Sequence, residues 1–322
     1  MFLEVKDLKK YYPVRPGLLS KQKEMVYATD GVSFTLENGE TLGLVGESGC
    51  GKSTTGRAIL RLIEPTSGQV LLEGKDICTL AKKELRDSRR KMQIIYQDPF
   101  GSLNPKRTVG RIISEPLDNF HIGRGREREE MVVQLLIRVG LKPEHMPRYP
   151  KEFSGGQRQR IGIARALALH PKLIIGDEPV SALDVSIQAQ VLNLLKDLQE
   201  EYGLSYIIIS HDLSVVRHIS DRIAVMYLGK IVELAPGEEL HENPLHPYSK
   251  ALLSSIPIPN PRMKGHRVLL EGDVPNPIHP PPGCRFHPRC SLFRKDRDAL
   301  CQNEMPEFRE IRLGHWISCH RL

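Results

Sequence analysis

Four short apolar runs punctuate the chain: "ETLGLVG" (40–46), "KLIIGDEP" (172–179), "SYIIIS" (205–210) and "RIAVMY" (222–227). Unbroken rather than alternating apolar character, over a length too short for a helix, predicts strands covered on both faces. The first run ends in glycine, as a strand entering a tight turn does. Helical patterns stand between the runs. In "SIQAQVLNLLKDLQEEYG" (186–203), Ile187, Val191, Leu194, Leu195 and Leu198 share one face, and Gly203 is a suitable terminator. Strands alternating with helices predict a parallel, doubly covered α/β sheet.

Residues 98–160 break this rhythm. A turn-rich "DPFGSLNP" precedes "REREEMVVQLLIRVG" (126–140), where Met131, Val132, Leu135, Leu136 and Val139 recur at helical spacing, so a helical subdomain is expected. From about residue 241 the character changes again. Prolines crowd 257–288, which predicts an extended, loop-rich tail. The expected division is one domain over 1–240 and an extension over 241–322.

The 322 residues are 40% hydrophobic, enough for one large or two modest cores. The N-terminus is charged within six residues, and no apolar run approaches the roughly 18–20 residues of a membrane span. A cytosolic protein without a secretory leader is expected. The net charge of +7 is spread among mixed acids and bases rather than gathered in one block, so no nucleic-acid partner is expected. Of six cysteines, Cys50 and Cys78 are isolated and four fall between 284 and 319. In a reducing compartment that grouping points to metal or redox chemistry before disulfides.

"GESGCGKST" (46–54) fits the phosphate-loop pattern G-x-x-x-x-G-K-[ST] in its required setting, after a strand and before a helix. Gly46, Gly49 and Gly51 let successive backbone N–H groups face phosphate oxygens. Lys52 supplies a charge near the β/γ-phosphates, and the Ser53 hydroxyl can ligate Mg²⁺. In "LIIGDEP", Asp177 can support the Mg²⁺ shell and Glu178 can polarise a water.

With these, "FSGGQRQR" (153–160), Gln97 in "IIYQDPF", "SALD" (181–184) and His211 in "IIISHDL" resemble, in content and order, the motifs of ABC ATPases. The resemblance implies a P-loop cassette with a RecA-like core and helical subdomain, binding ATP with Mg²⁺ and closing head-to-tail on a second cassette. It implies that Gly46, Ser48, Gly49, Cys50, Gly51, Lys52, Ser53 and Thr54 hold the nucleotide, Cys50 as a tolerated small side chain. It implies that Ser154 and Gly156 contact the ATP held by the partner cassette and that Asp184, in the D-loop, is a further nucleotide-binding residue. Glu178 would act as general base or water orienter, His211 would contact the γ-phosphate, and Gln97 would sense Mg²⁺ and couple the site to a partner. Tyr12 would stack on adenine, with Tyr11 as the alternative.

The 54–153 interval carries no heptad run of the kind DNA-repair members have, and the chain holds one cassette where translation-associated members generally hold two. "NPLHPYSKALLSSIP" (243–257), the proline-rich stretch and "GCRFHPRC" (283–290) resemble the C-terminal extension of ATP-binding subunits of dipeptide/oligopeptide importers. That implies two transmembrane permease subunits, a second ATPase subunit and an extracytoplasmic peptide-binding protein as partners, with this chain peripheral on the cytoplasmic face of the cell membrane. The long 11–34 insertion suits a subunit paired with a non-identical sister. Importers of nickel chelates or glutathione, or a soluble redox- or iron-responsive regulator, are the alternatives.

Cys284, Cys290, Cys301 and Cys319 are spaced C-x₅-C-x₁₀-C-x₁₇-C, without the tight knuckles of structural zinc sites. The spread suits a [4Fe–4S] cluster, which the importer family also implies. Zinc, with His287, His315 or His320 substituting, and free or paired thiols remain open. The neighbouring arginines are expected to offset the charge of a thiolate-bound cluster.

Overall fold

The computed structural model describes residues 1–14, 24–255 and 268–322. The chain separates into two units that are interleaved in sequence. The first comprises Met1–Leu36, Thr41–Thr79 and Ser210–Leu322; the second comprises Glu37–Glu40 and Leu80–Ile209.

In the first unit β1 (Leu3–Pro13) pairs antiparallel with β2 (Met25–Leu36), setting Leu3 opposite Leu36 and Tyr11 opposite Tyr27. β3 (Thr41–Val45) is buried at every position and leads through a glycine-rich loop into α1 (Lys52–Ile59). β4 (Ser67–Leu72) and β5 (Lys75–Asp76) complete a four-stranded sheet in the order β2-β1-β4-β5.

The second unit opens with α2 (Lys82–Arg90) and β6 (Met92–Ile95) and continues through α3 (Val109–Asn119), α4 (Arg126–Arg138) and α5 (Gly155–Leu167). β7 (Leu173–Asp177), α6 (Val185–Tyr202) and β8 (Ser205–Ser210) follow. β6, β7 and β8 are parallel, with Ile94 beside Ile175 and Ile174 beside Tyr206. β7 and β8 are buried along their whole length, which is why both read as unbroken apolar runs. α6 buries Val191, Leu194, Leu195 and Leu198 and stops where Gly203 turns left-handed at φ 64°. Both match the spacing read from sequence.

Returning to the first unit, α7 (Leu213–Ile219) leads to β9 (Arg222–Tyr227), which lies parallel to β3 with Leu44 beside Ala224. Here the wholly parallel expectation fails. Leu228 and Gly229 both take positive φ, the requirement of a two-residue hairpin turn, and send β10 (Lys230–Pro236) back antiparallel to β9. The extension is also more regular than its prolines suggest. It forms α8 (Gly237–Glu242), α9 (Pro247–Ser254), α10 (Ser291–Asp296), α11 (Ala299–Asn303) and a hairpin of β11 (Phe308–Arg312) and β12 (His315–Ser318). β12 pairs with β10, so the extension is stitched into the sheet by Glu233↔Ile317 and Leu234↔Trp316. The prolines of 256–261 lie outside the described residues.

A buried polar knot secures this junction. Glu233 on β10 is fully buried, and its carboxylate accepts from the Leu245 N–H (2.7 Å), the His246 N–H (3.0 Å) and His315 Nε2 (2.8 Å). His246 Nδ1 in turn accepts from the Tyr248 N–H (3.1 Å), capping α9, while its ring packs on Phe286. Tyr227 packs edge to face on both Tyr248 and Phe286, and Tyr248 lies tilted against Phe286. Burial pushes the His246 imidazole down to about 4 from 6.5, against an opposing pull from Glu233. The unfolded chain therefore binds a proton below pH 6.5 that the folded chain refuses, and stability falls as pH drops from 6.5 toward 4. Glu233 is held below its ordinary value: burial raises it, but His315 and the backbone donors outweigh burial. Its contribution is likewise lost on acidification, but below the His246 window. Going from pH 7.5 to 5 should lower stability by ~2 kcal/mol from His246 alone. A His246→Asn variant, which keeps an acceptor for the Tyr248 N–H, should show a flatter fall in thermal midpoint over that range.

Candidate nucleotide site and cysteine-bearing turn

The phosphate loop lies wholly in the first unit. Gly51 shows why glycine is needed: its φ is +106°, and an added Cβ would sit 1.9 Å from the Ala28 carbonyl oxygen on β2. Lys52 is buried, and its ammonium donates to the carbonyls of Gly46 (2.7 Å) and Glu47 (3.0 Å). Ser53 and Thr54 are half-buried in the first turn of α1, and Ser48 and Gly49 are exposed on the loop. Cys50 is buried, and burial raises its thiol, as suits a small space-filler rather than a nucleophile. The two tyrosines separate clearly. Tyr11 donates its hydroxyl to Asp30 (2.5 Å) and packs edge-on to Tyr27, whereas Tyr12 is exposed with the Lys10 ammonium 4.9 Å over its ring. Tyr12 therefore presents the more accessible stacking face. His211 is exposed at the end of β8, where Asp212 caps α7 by accepting from the Ser214 N–H.

The second unit carries the acidic doublet. Asp177 is buried at the end of β7. Glu178 takes a left-handed φ of 50°, a costly conformation for a side-chain-bearing residue, and its N–H donates to the Ile209 carbonyl (2.9 Å). Gln97, read from sequence as a separate motif, reaches the same carboxylate: its Nε2 donates to Glu178 Oε2 at 2.8 Å. Ser154 and Asp184 are both exposed helix caps. Ser154 accepts from the Gln157 N–H to start α5, and Asp184 accepts from the Ile187 N–H (3.0 Å) to start α6. Gly156 is where these helices touch, since a Cβ there would fall 2.5 Å from the Ile187 side chain. The resemblance implied only a nucleotide role for these residues; capping and close packing are structural roles it did not reveal.

The four clustered cysteines come together within the first unit. The Cys284 N–H donates to the Cys301 carbonyl (2.9 Å), and Cys290, Cys301 and Cys319 are buried. Burial, reinforced by the other three thiols, pushes Cys284 up to about 12. Cys301 and Cys319 are also raised, by burial first, with Arg321 pulling each back. All are free of disulfides. Among the described residues no three His, Cys, Asp or Glu close around a single-ion position. Tetrahedral zinc would need its sulfurs within about 3.8 Å of one another, given Zn–S near 2.3 Å. His315 is committed to Glu233, and His320 Nε2 to the Glu304 carbonyl.

Of the arginines near the thiols, Arg285 and Arg289 are engaged with carboxylates on the nucleotide-binding part of the unit. Arg285 donates to Asp30 and to the Leu228 carbonyl, and Arg289 makes a two-pronged contact with Glu47 at 2.7 and 3.1 Å. Sequence gave no hint of either pairing, because the partners lie 255 and 242 positions away.

Comparison with known proteins bears on both halves. Residues 29–181 match the ABC transporter family, and residues 232–296 match the C-terminal region of oligopeptide/dipeptide transporters. The chain is 57% identical over 321 residues to the oligopeptide transport ATP-binding protein AppF of Bacillus subtilis, covering 99% of this chain and 96% of that protein. It is 55% identical over 318 residues to a probable peptide ABC transporter ATP-binding protein of Sinorhizobium fredii, covering 99% and 89%. Among solved structures, the ATP-binding cassette MJ0796, in a dimeric post-hydrolysis state bound to ADP and Pi, is 31% identical with a TM-score of 0.64, over 73% of this chain and 98% of that one. Phosphate loop, acidic doublet and extension thus converge on one assignment: the chain belongs to the ATP-binding subunits of ABC transporters, in the oligopeptide/dipeptide transporter family, and is an ATPase.

Proposed function

We propose that this chain hydrolyses ATP to power a membrane importer of di- or oligopeptides. The observation that carries the reading is that similarity to peptide-transport ATP-binding proteins runs through the extension as well as the cassette. The relatives are peptide-transport proteins by name, so the soluble-regulator reading and the nickel-chelate or glutathione readings have no support. Two permease subunits and a second ATPase subunit are the expected partners, with a peptide-binding protein acting through them. Among the described residues no helix is long and apolar enough to cross a membrane, which suits a peripheral place on the cytoplasmic face.

In this reading Lys52 and the loop N–H groups bind the phosphates, Ser53, Gln97 and Asp177 support Mg²⁺, and Tyr12 stacks on adenine. Mg²⁺ would neutralise the phosphate charge that builds as the γ-phosphoryl group transfers. Glu178 accepts the proton of the attacking water as its oxygen bonds to the γ-phosphorus and the bond to ADP breaks. The Gln97 amide, which donates to the Glu178 carboxylate, would hold it in place. Ser154 and Gly156 would contact the partner cassette's nucleotide, Asp184 would be a further nucleotide-binding residue, and His211 would contact the γ-phosphate.

The wide spacing of four cysteines, three of them buried and Cys284 half-buried, suits a [4Fe–4S] cluster. Cys284, Cys290, Cys301 and Cys319 would hold it, and it would supply a rigid cross-link for the extension. Tagged chain purified anaerobically from its native membrane should bring down two membrane-embedded subunits and absorb broadly near 400 nm. Recovery without membrane partners removes the importer role; a colourless, zinc-loaded preparation removes the cluster.

A further inference from the structure

Within the phosphate loop, Glu47 stands at a junction that no nucleotide contact explains. Its carbonyl accepts from the Lys52 ammonium (3.0 Å), its N–H donates to the Tyr248 hydroxyl (2.9 Å), and its carboxylate receives both terminal nitrogens of Arg289. Arg289 is buried, one residue before Cys290, and its guanidinium lies 5.9 Å over the Tyr227 ring. At the other end of the same turn, one residue after Cys284, buried Arg285 grips Asp30 and the Leu228 carbonyl. The cysteine-bearing turn is thus clasped to the nucleotide-binding part of its own unit by an arginine beside each of its two thiols. A two-pronged arginine–carboxylate contact fixes orientation as well as distance, so Arg289 fixes the Glu47 backbone, whose carbonyl helps aim Lys52.

We propose that Arg289 is a positioning residue for the phosphate loop, acting through Glu47, and that through it ATP affinity depends on how the cysteine-bearing turn is held. The inference rests on the loop being the ATP site. It makes the extension a controller of nucleotide binding.

The test is titration of the full-length protein with a fluorescent ATP analogue and Mg²⁺, with steady-state hydrolysis and thermal melting in parallel. Arg289→Ala and Glu47→Ala should each weaken binding about tenfold, and the double variant should be no weaker than either single one. The loss should appear in KM more than in kcat. Arg289→Lys, which keeps charge but loses the fork, should recover only part of the affinity. Cys290→Ser should weaken binding in the wild-type background and have no further effect on Arg289→Ala. Unchanged affinity in Arg289→Ala, even with a lowered melting point, would overturn the inference and leave the ATP site intact. So would single effects that multiply in the double variant, or a Cys290→Ser effect that persists without Arg289. Failure of wild type to bind the analogue would instead overturn the reading of the loop itself.

Discussion

Glu178→Gln should reduce ATP turnover by about 10²–10⁴, the range spanned by loss of a general base, while leaving nucleotide binding near wild type. The substitution preserves shape. The glutamine oxygen can still accept from Gln97 Nε2, and the backbone bond from residue 178 to the Ile209 carbonyl is untouched. What disappears is the ability to take a proton from water. The left-handed backbone at this position remains equally strained, so the melting temperature should move little. Burst and steady-state phosphate release measured with saturating Mg-ATP check this. Hydrolysis within a few fold of wild type would place the base elsewhere.

Gly51→Ala should abolish measurable nucleotide binding, and the reason is steric. The new methyl would lie 1.9 Å from the Ala28 carbonyl oxygen and 3.1 Å from its carbon, both backbone atoms of β2 that cannot rotate away. The φ of +106° adds strain for any residue bearing a Cβ. Together these should cost about 3 kcal/mol or more, met by movement of the loop. In the proposed reading the N–H groups that grip phosphate belong to that loop, so affinity should fall more than about 100-fold, roughly 3 kcal/mol at a tenfold loss per 1.4. Titration calorimetry with Mg-ATP, alongside a melting curve, reads both effects.

The elements legible in the sequence are those whose environment is uniform. β3, β7, β8 and most of β9 are buried on both faces, so their residues had to be apolar without interruption. β10 was missed because Glu233 breaks its apolar run, and only the structure shows that carboxylate satisfied by backbone donors and by a histidine 82 positions away. β1 was illegible for another reason. Register shifts between Val5 and Leu8 and again to Lys9 disrupt the alternation that would mark a half-buried strand. The prolines of the extension pointed to loops, yet Pro247 opens α9 at its first turn, where proline fits a helix.

Site residues divide in the same way. The phosphate loop is a local object: spacing, glycine and a following helix define it within nine residues. The Gln97–Glu178 contact joins two motifs read separately, and Ser154 and Asp184 proved to be caps as well as candidate ligands. The Arg289–Glu47 contact spans 242 positions and leaves no periodic trace. Arg289 was therefore read only from its cysteine neighbour, as a counter-charge, although its own partner is in the phosphate loop.

Calorimetric titration of Mg-ATP into wild type, Glu178→Gln and Gly51→Ala bears most directly on the claim that the turn at 46–53 holds the triphosphate and the carboxylate at 178 acts on it. Saturable, magnesium-dependent heat is expected for wild type and for Glu178→Gln, with none for Gly51→Ala. Equal heats from all three proteins, or none from wild type, would contradict it.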